Sequence, residues 1–332
     1  ASTIIENGIV GRFSGYPGNI KSIGFIFMVK LKSIFMWKSF KNRYKSFGWY
    51  EFKEKFIYLP SKVLTMNFKE VLKDIKDIKI QGAESIAIAG VKSLKLKGAS
   101  VKKLLSVRPT EPMLKNSLKA AKIFGIDETL KKIKEAREEY INFGIKVVKK
   151  RIFTHCHSSS VISVLKKAKE KGKKFEVINT ETRPKYQGRK TSMELSKAGI
   201  KVTEIADAAA ALAFVKDPVI KDVGVMLIGC DAILSDGSCV NKIGSGMFAE
   251  IAYDNKVPVY VLSNSWKFSP KPVKIELRNY TEMWKNAPKN VKIQNPAFEK
   301  VDAKFITAII SELGILKPKQ FVKKVKRVYK WI

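Results

Sequence analysis

Cysteine, histidine and acidic side chains are all scarce in this 332-residue chain. It has three cysteines and two histidines. Three thiols with no Cys-x-x-Cys pair cannot make a disulfide framework, and His155 and His157, two apart in one segment, do not supply a structural zinc site. No metal is expected, and the thiols read as reduced. The 30 Asp plus Glu face 64 Lys plus Arg, a net charge of +34. Such an excess points to an anionic partner, nucleic acid or a small anionic substrate. The lysines run along the whole chain without an RNA-binding signature, which leaves both open. Long apolar runs are also missing: Ile23 to Val29 is broken by Lys30 and Lys32, well short of the roughly 20 residues a membrane-spanning helix needs. The first eleven residues carry no Lys or Arg, unlike a signal peptide. The chain reads as cytoplasmic.

With 45% hydrophobic and 28% charged residues the composition is globular, and the length suggests more than one domain. Residues 1–65 stand apart, with 11 Lys plus Arg, three acids and 14 of the chain's 34 aromatics. Basic residues interleaved with aromatics can bind single-stranded nucleic acid by stacking over a charged groove. The segment contains no recognisable module and reads as an accessory extension, the one place where nucleic acid enters as a partner.

From Phe68 the apolar spacing predicts a helix ending at Gln81-Gly82, followed by helices over 85–96, 112–124 and 127–150, so that residues 66–148 form a helical domain. The period then shortens. Runs at 150–155, 174–179, 201–205, 224–228 and 257–263 predict strands, separated by helical patterns at 159–171, 190–198, 207–215 and 246–255. This alternation defines residues 149–332 as a doubly wound, Rossmann-like parallel-sheet domain, and the fold class as α/β with an N-terminal helical domain.

In such sheets ligands bind beyond the carboxyl ends of the strands. Three polar clusters fall there: Thr154 to Ser158, Thr180 to Pro184, and Gly229-Cys230-Asp231. Cys156 precedes a serine-rich helix start, where free N–H groups and the helix dipole favour an anion and can lower a thiol pKa. It reads equally as a packing residue and as an acid/base group. Asp231 ends an apolar strand, where a carboxylate needs a partner or a substrate. Cys230 and Cys239 read as packing residues, and Asp236-Gly237 as a tight hairpin turn. Strand alternation points His155 and His157 away from Cys156, which disfavours a Cys-His hydrolase pair. Asn241 to Gly246 is a glycine-rich helix entry without a Rossmann or P-loop spacing; with Lys242 it makes a plausible phosphate cradle. From pattern alone, Arg108 and Lys267 read as surface cations.

In this order, the segments Gly82-Ala83, Arg108-Pro109-Thr110, Thr154-His155-Cys156-His157-Ser158, Thr180 to Gly188, Gly229 with Asp231, Asn241 to Gly244 and Asn295 to Phe298 resemble one superfamily. It contains ribose-1,5-bisphosphate isomerase, methylthioribose-1-phosphate isomerase and the regulatory subunits of initiation factor 2B. The sequences after the cysteine and around Thr180 to Gly188 look most like the archaeal ribose-1,5-bisphosphate isomerases. The resemblance implies Cys156 and Asp231 as the catalytic pair of an aldose–ketose isomerase. It implies substrate contacts at Gly82, Ala83, Arg108, Ser158, Ser159, Ser160, Asn241, Lys242 and Lys267. It also implies a phosphorylated pentose substrate, activation by AMP in nucleotide salvage with no metal or other cofactor, and a homo-oligomer from dimer to hexamer. A catalytically silent relative of the initiation factor 2B subunits and a methylthioribose-1-phosphate isomerase are the alternatives. Glu84 and Ser159 depart from the isomerase pattern, and Glu84 would repel a phosphate placed beside it.

Overall fold

The computed structural model describes residues 66–332, apart from Ile78, Pro109, Thr110, Lys216, Pro218, Val219 and Lys221. It also describes two short antiparallel strands, β1 (Ile5–Glu6) and β2 (Ile9–Val10). The basic, aromatic-rich reading of residues 1–65 otherwise lies outside the described residues, as do Pro109 and Thr110 of the Arg108 motif. The second of the chain's two compact units, Ile57–Ile332, carries every other element.

Helix α1 (Phe68–Lys76) opens with a capping box: the Glu70 N–H donates to Asn67 Oδ1 and the Asn67 N–H to Glu70 Oε2, at 3.0 and 2.9 Å. This satisfies two of the N–H groups a helix start leaves free. Phe68, Val71 and Ile75 form its buried face. It stops before the expected Gln81-Gly82 because the N–H groups of Lys79 and Ile80 turn back to Asp74 O. Then come α2 (Ala83–Ser93), α3 (Val101–Val107), α4 (Pro112–Phe124) and α5 (Ile126–Lys146). The sequence pattern does not predict α3. Helix α5 buries Ile133, Ala136, Tyr140 and Gly144, while ion pairs such as Lys132–Glu128 (3.3 Å) lie on its wet face.

The sheet strands follow: β3 (Arg151–Thr154), β4 (Glu176–Thr180), β5 (Lys201–Ile205), β6 (Val225–Ile228), β9 (Val259–Leu262), β12 (Ala308–Ser311) and β13 (Gly314–Leu316). Their order is β13-β12-β9-β6-β3-β4-β5, all parallel except the edge strand β13. Strand alternation sends Ile152, Val225 and Leu227 to one face, against Val161 and Leu165 of α6 (Ser159–Glu170) and Leu195 of α7 (Gln187–Lys197). Phe153, Met226 and Ile228 go to the other face, against Phe248 of α8 (Ser245–Asp254) and Phe321 of α9 (Pro318–Val328). With helices on both faces this is the expected doubly wound sheet. The expected helix over 207–215 is a 3-10 helix at Asp207–Ala213.

A smaller sheet, of which the sequence reading contains only the hairpin at Asp236-Gly237, orders β10 (Phe268–Ser269), β7 (Ala232–Leu234), β8 (Cys239–Lys242) and β11 (Phe298–Val301). The Asp236-Gly237 turn joins β7 to β8, with Gly237 at φ +84°. No helix among the described residues is long and apolar enough to cross a membrane.

Candidate functional site

Strand β3 is the point where the sheet order reverses: β4 and β5 lie on one side, β6, β9 and β12 on the other. Crevices at such switch points hold ligands. Cys156 follows β3 and Asp231 follows its neighbour β6, so the topology brings these two ends together. Gly229 is what lets α6 approach: a Cβ there would stand 2.3 Å from Ser158 Oγ, the hydroxyl that caps α6.

Cys156 adopts a left-handed backbone, φ +66°. Its N–H donates to Thr182 Oγ1 at 3.0 Å and its carbonyl accepts from Thr191 Oγ1 at 2.7 Å. Thr182 is fixed in turn by Asp207, whose two carboxylate oxygens accept from the N–H groups of Thr182 and Arg183 at 2.8 and 2.7 Å. Neither neighbouring histidine turns to the cysteine, but β3 ends at Thr154 and the left-handed Cys156 sends the two to opposite sides instead of the shared face that strand alternation implies. His155 is buried, edge-on to Phe248, with Nε2 2.9 Å from Ile243 O. Burial holds it down at about 4, so it is neutral at pH 7. His157 turns to Thr191 and Glu194, and burial, with Lys190 and Lys166, lowers it to about 3.

Burial pushes the Cys156 thiol up to about 11, against the pull of the Lys242 ammonium. The lowered thiol suggested by the serine-rich helix start is therefore corrected. Cys156 lies three residues ahead of α6, and the cost of a thiolate away from water outweighs the helix. Asp231 is also raised, chiefly by burial, although Lys267, Lys242 and Arg108 all favour its carboxylate. The resting pair is thus a thiol beside an unusually basic carboxyl.

The cations read from pattern alone as surface residues are recessed here. Lys267 is 8% exposed and donates to Cys230 O at 2.7 Å. Lys242 is 7% exposed, lies on β8 and stacks over the Phe298 ring at 4.7 Å. Arg108 pairs with Glu276 at 3.5 Å. Asn241 lies behind Lys242 and donates to Ser245 Oγ. Ser158 and Ser160 line the first turn of α6, with Ser160 buried and Ser159 exposed. Gly82 and Ala83 open α2 and connect to that turn through the next residue. Glu84 accepts from Arg137 at 3.4 Å and from the Tyr140 hydroxyl at 3.3 Å, and Tyr140 also bonds Ser160. These two groups hold the Glu84 carboxylate at the opening of α2.

Sequence reasoning placed Thr182 in the Thr180 to Pro184 cluster without giving it a role, and it missed Asp207. Both act through loops that meet only in the fold.

A recessed cysteine and carboxyl at the switch point of a doubly wound sheet, with Lys242, Lys267 and Arg108 acting on the carboxyl, mark the candidate site of a Rossmann-like protein. Residues 97–318 match the model of the Initiation factor 2 subunit family. The ribose 1,5-bisphosphate isomerase of Methanocaldococcus jannaschii is 32% identical over 302 residues, 80% of this chain and 96% of that protein. The solved structure of the translation initiation factor eIF-2B of Pyrococcus horikoshii superimposes with a TM-score of 0.66 at 28% identity, covering 80% of this chain and 100% of that one. The 5-methylthioribose 1-phosphate isomerase of the same organism gives 0.64 at 25% identity, covering 79% and 88%. This chain belongs to the Initiation factor 2 subunit family.

Proposed function

We propose that the protein is an aldose–ketose isomerase that converts ribose 1,5-bisphosphate to ribulose 1,5-bisphosphate, with Cys156 and Asp231 as its acid–base pair. The observation that carries this reading is the placement of the two residues on adjacent strand ends within a ring of Lys242, Lys267 and Arg108. A bisphosphate needs such a cationic ring, and the reaction needs one group near carbon and one near oxygen.

Asp231, protonated, gives its proton to the ring oxygen as the C1–O bond breaks, and Cys156, as thiolate, removes the proton from C2. The resulting enol carries its phosphate on C1 and a hydroxyl on C2. Asp231 then takes the proton of the C2 hydroxyl while the thiol protonates C1, leaving a C2 ketone and both residues as they began. Lys242 favours the thiolate that the first half requires. The two phosphates supply the binding energy that holds C2 near the sulfur. Activation by AMP and assembly into a homo-oligomer belong to the same proposal.

One observation favours a second reading. The Glu84 carboxylate stands at the opening of α2, where the resemblance places a phosphate contact, and suits a substrate with a single phosphate, such as methylthioribose 1-phosphate. An NMR assay of the full chain with each substrate, with and without AMP, separates the two. Ribulose 1,5-bisphosphate formed from the bisphosphate alone supports the first reading. Turnover of the monophosphate alone supports the second, and turnover of neither rejects both.

A further inference from the structure

The connection between β10 and β11, residues 270–297, touches the site on three sides. Its two arms are tied together by backbone hydrogen bonds, from Ala297 N–H to Glu276 O at 2.9 Å and from Arg278 N–H to Asn295 O at 2.8 Å. Asn295 to Phe298 is in turn fixed beside Lys242: the Ile243 N–H donates to Ala297 O at 3.2 Å, and Phe298 pairs with Lys242 in the smaller sheet. Ion pairs anchor the connection on the other two sides. Glu276 meets Arg108, which follows α3, and Glu282 meets Lys185, in the loop after β4, at 3.1 Å.

Within this arrangement one carboxylate is shared by two arginines. Glu276 Oε2 stands 3.5 Å from Arg108 Nη1, and its Oε1 stands 3.5 Å from Arg278 Nε. Both contacts are long beside the roughly 2.7–2.9 Å of a charge-assisted hydrogen bond. The Nε groups of Arg108 and Arg278 are buried, and neither has a hydrogen-bond partner among the described residues. Arg278 meets one other carboxylate, Glu282, at 3.9 Å through Nη1. Buried donors left in this state are rare and costly. The two arginine side chains are 13% and 14% exposed and the Glu276 side chain 31%, so the carboxylate is the member with room to leave.

We propose that Arg278 is a phosphate-binding residue of this site, paired with Arg108, and that Glu276 holds the two guanidiniums until a substrate phosphate replaces it. A phosphate brings more charge and three acceptor oxygens, enough to engage both arginine forks and their idle Nε groups. The exchange moves a side chain only, because the Glu276 backbone stays bonded to Ala297. Arg108 favours the charge of Asp231 and Glu276 opposes it, so the pair lies within electrostatic reach of the proposed acid.

The identity of the substrate phosphate rests on the isomerase reading, and inorganic phosphate as the probe separates the two. Calorimetry of the full chain with inorganic phosphate compares wild type, Arg278→Met, Glu276→Gln and the double variant, each with a thermal melt. Arg278→Met is expected to weaken phosphate about tenfold or more, the factor that one lost charge-assisted hydrogen bond implies. Arg278→Lys, the milder variant for folding, keeps the charge and weakens phosphate several-fold because one ammonium cannot replace the fork. Glu276→Gln strengthens phosphate several-fold. In the double variant Arg278→Met still costs about tenfold, because the guanidinium touches the phosphate itself. An arginine that only neutralised Glu276 would cost nothing to remove in the Glu276→Gln background, and that result overturns the proposal. Unchanged phosphate affinity in Glu276→Gln, or a wild type that binds no phosphate, overturns it as well. With ribose 1,5-bisphosphate, Arg278→Met raises KM by a similar factor. Turnover with an unmoved KM rejects the proposal and leaves the isomerase reading standing, whereas the expected phosphate effects without turnover reject that reading and leave the proposal.

Discussion

The backbone N–H of Cys156 donates to the hydroxyl of Thr182 across 3.0 Å, tying the loop after β3 to the loop after β4. Both residues have positive φ, +66° and +61°, a region costly for side chains of their kind. Each is held there by the other loop. Thr182→Val keeps the volume and removes the acceptor. It is expected to destabilise the fold by about 1–2 kcal/mol, the cost of a buried N–H left unpaired. Because the thiol shifts relative to C2, kcat falls more than tenfold while KM changes little. Denaturant melts and steady-state kinetics check this.

Lys242 is the leading group that counters burial at the Cys156 thiol. Cys230 and Cys239 are 4% and 0% exposed, so alkylation of the native protein reports on Cys156. The alkylation rate is expected to rise with pH towards a midpoint near 11, and Lys242→Met to slow it several-fold at pH 8. Equal rates in the two proteins would show that the ammonium does not act on the sulfur.

His155, held neutral at about 4 against 6.5 when unfolded, links stability to pH. Its folded-state pKa is depressed, so its contribution is complete above pH 6.5 and declines as pH falls towards 4, where the unfolded chain binds the extra proton. Raised carboxyls such as Glu111 act in the opposite direction, so the net slope of the wild type does not isolate the histidine. The difference from a non-titrating variant does. Between pH 7 and 5, wild type is expected to lose about 2 kcal/mol more than His155→Gln. Urea melts of both proteins at the two values measure it.

The parts of the fold legible in the sequence were those set by local pattern. The strands β3, β4, β6 and β9 are short apolar runs bounded by polar clusters, and α4 fell on its predicted residues. The Gly229 and Asp231 segment was legible because a carboxylate after an apolar strand asks for a reason. Helix α3 was missed because Val101–Val107 is a seven-residue helix that buries only Leu104, too little for a period to register. Strands β10 and β11 take their character from long-range pairing with β7 and β8. The Cys156 thiol was misjudged because the sequence displays the helix start but not the burial. Asp207 escaped because it works on a partner in another loop, Thr182.

The proposed isomerisation requires Cys156 and Asp231 together. The direct measurement follows ribose 1,5-bisphosphate by NMR with the wild type, Cys156→Ser and Asp231→Asn, with thermal melts and substrate binding recorded alongside. Ribulose 1,5-bisphosphate is expected from the wild type. Each variant is expected to fold and bind substrate while turning over about 10²–10⁴-fold more slowly, the span that a positioned acid or base contributes. A folded wild type without turnover, or variants that retain its rate, would contradict the account.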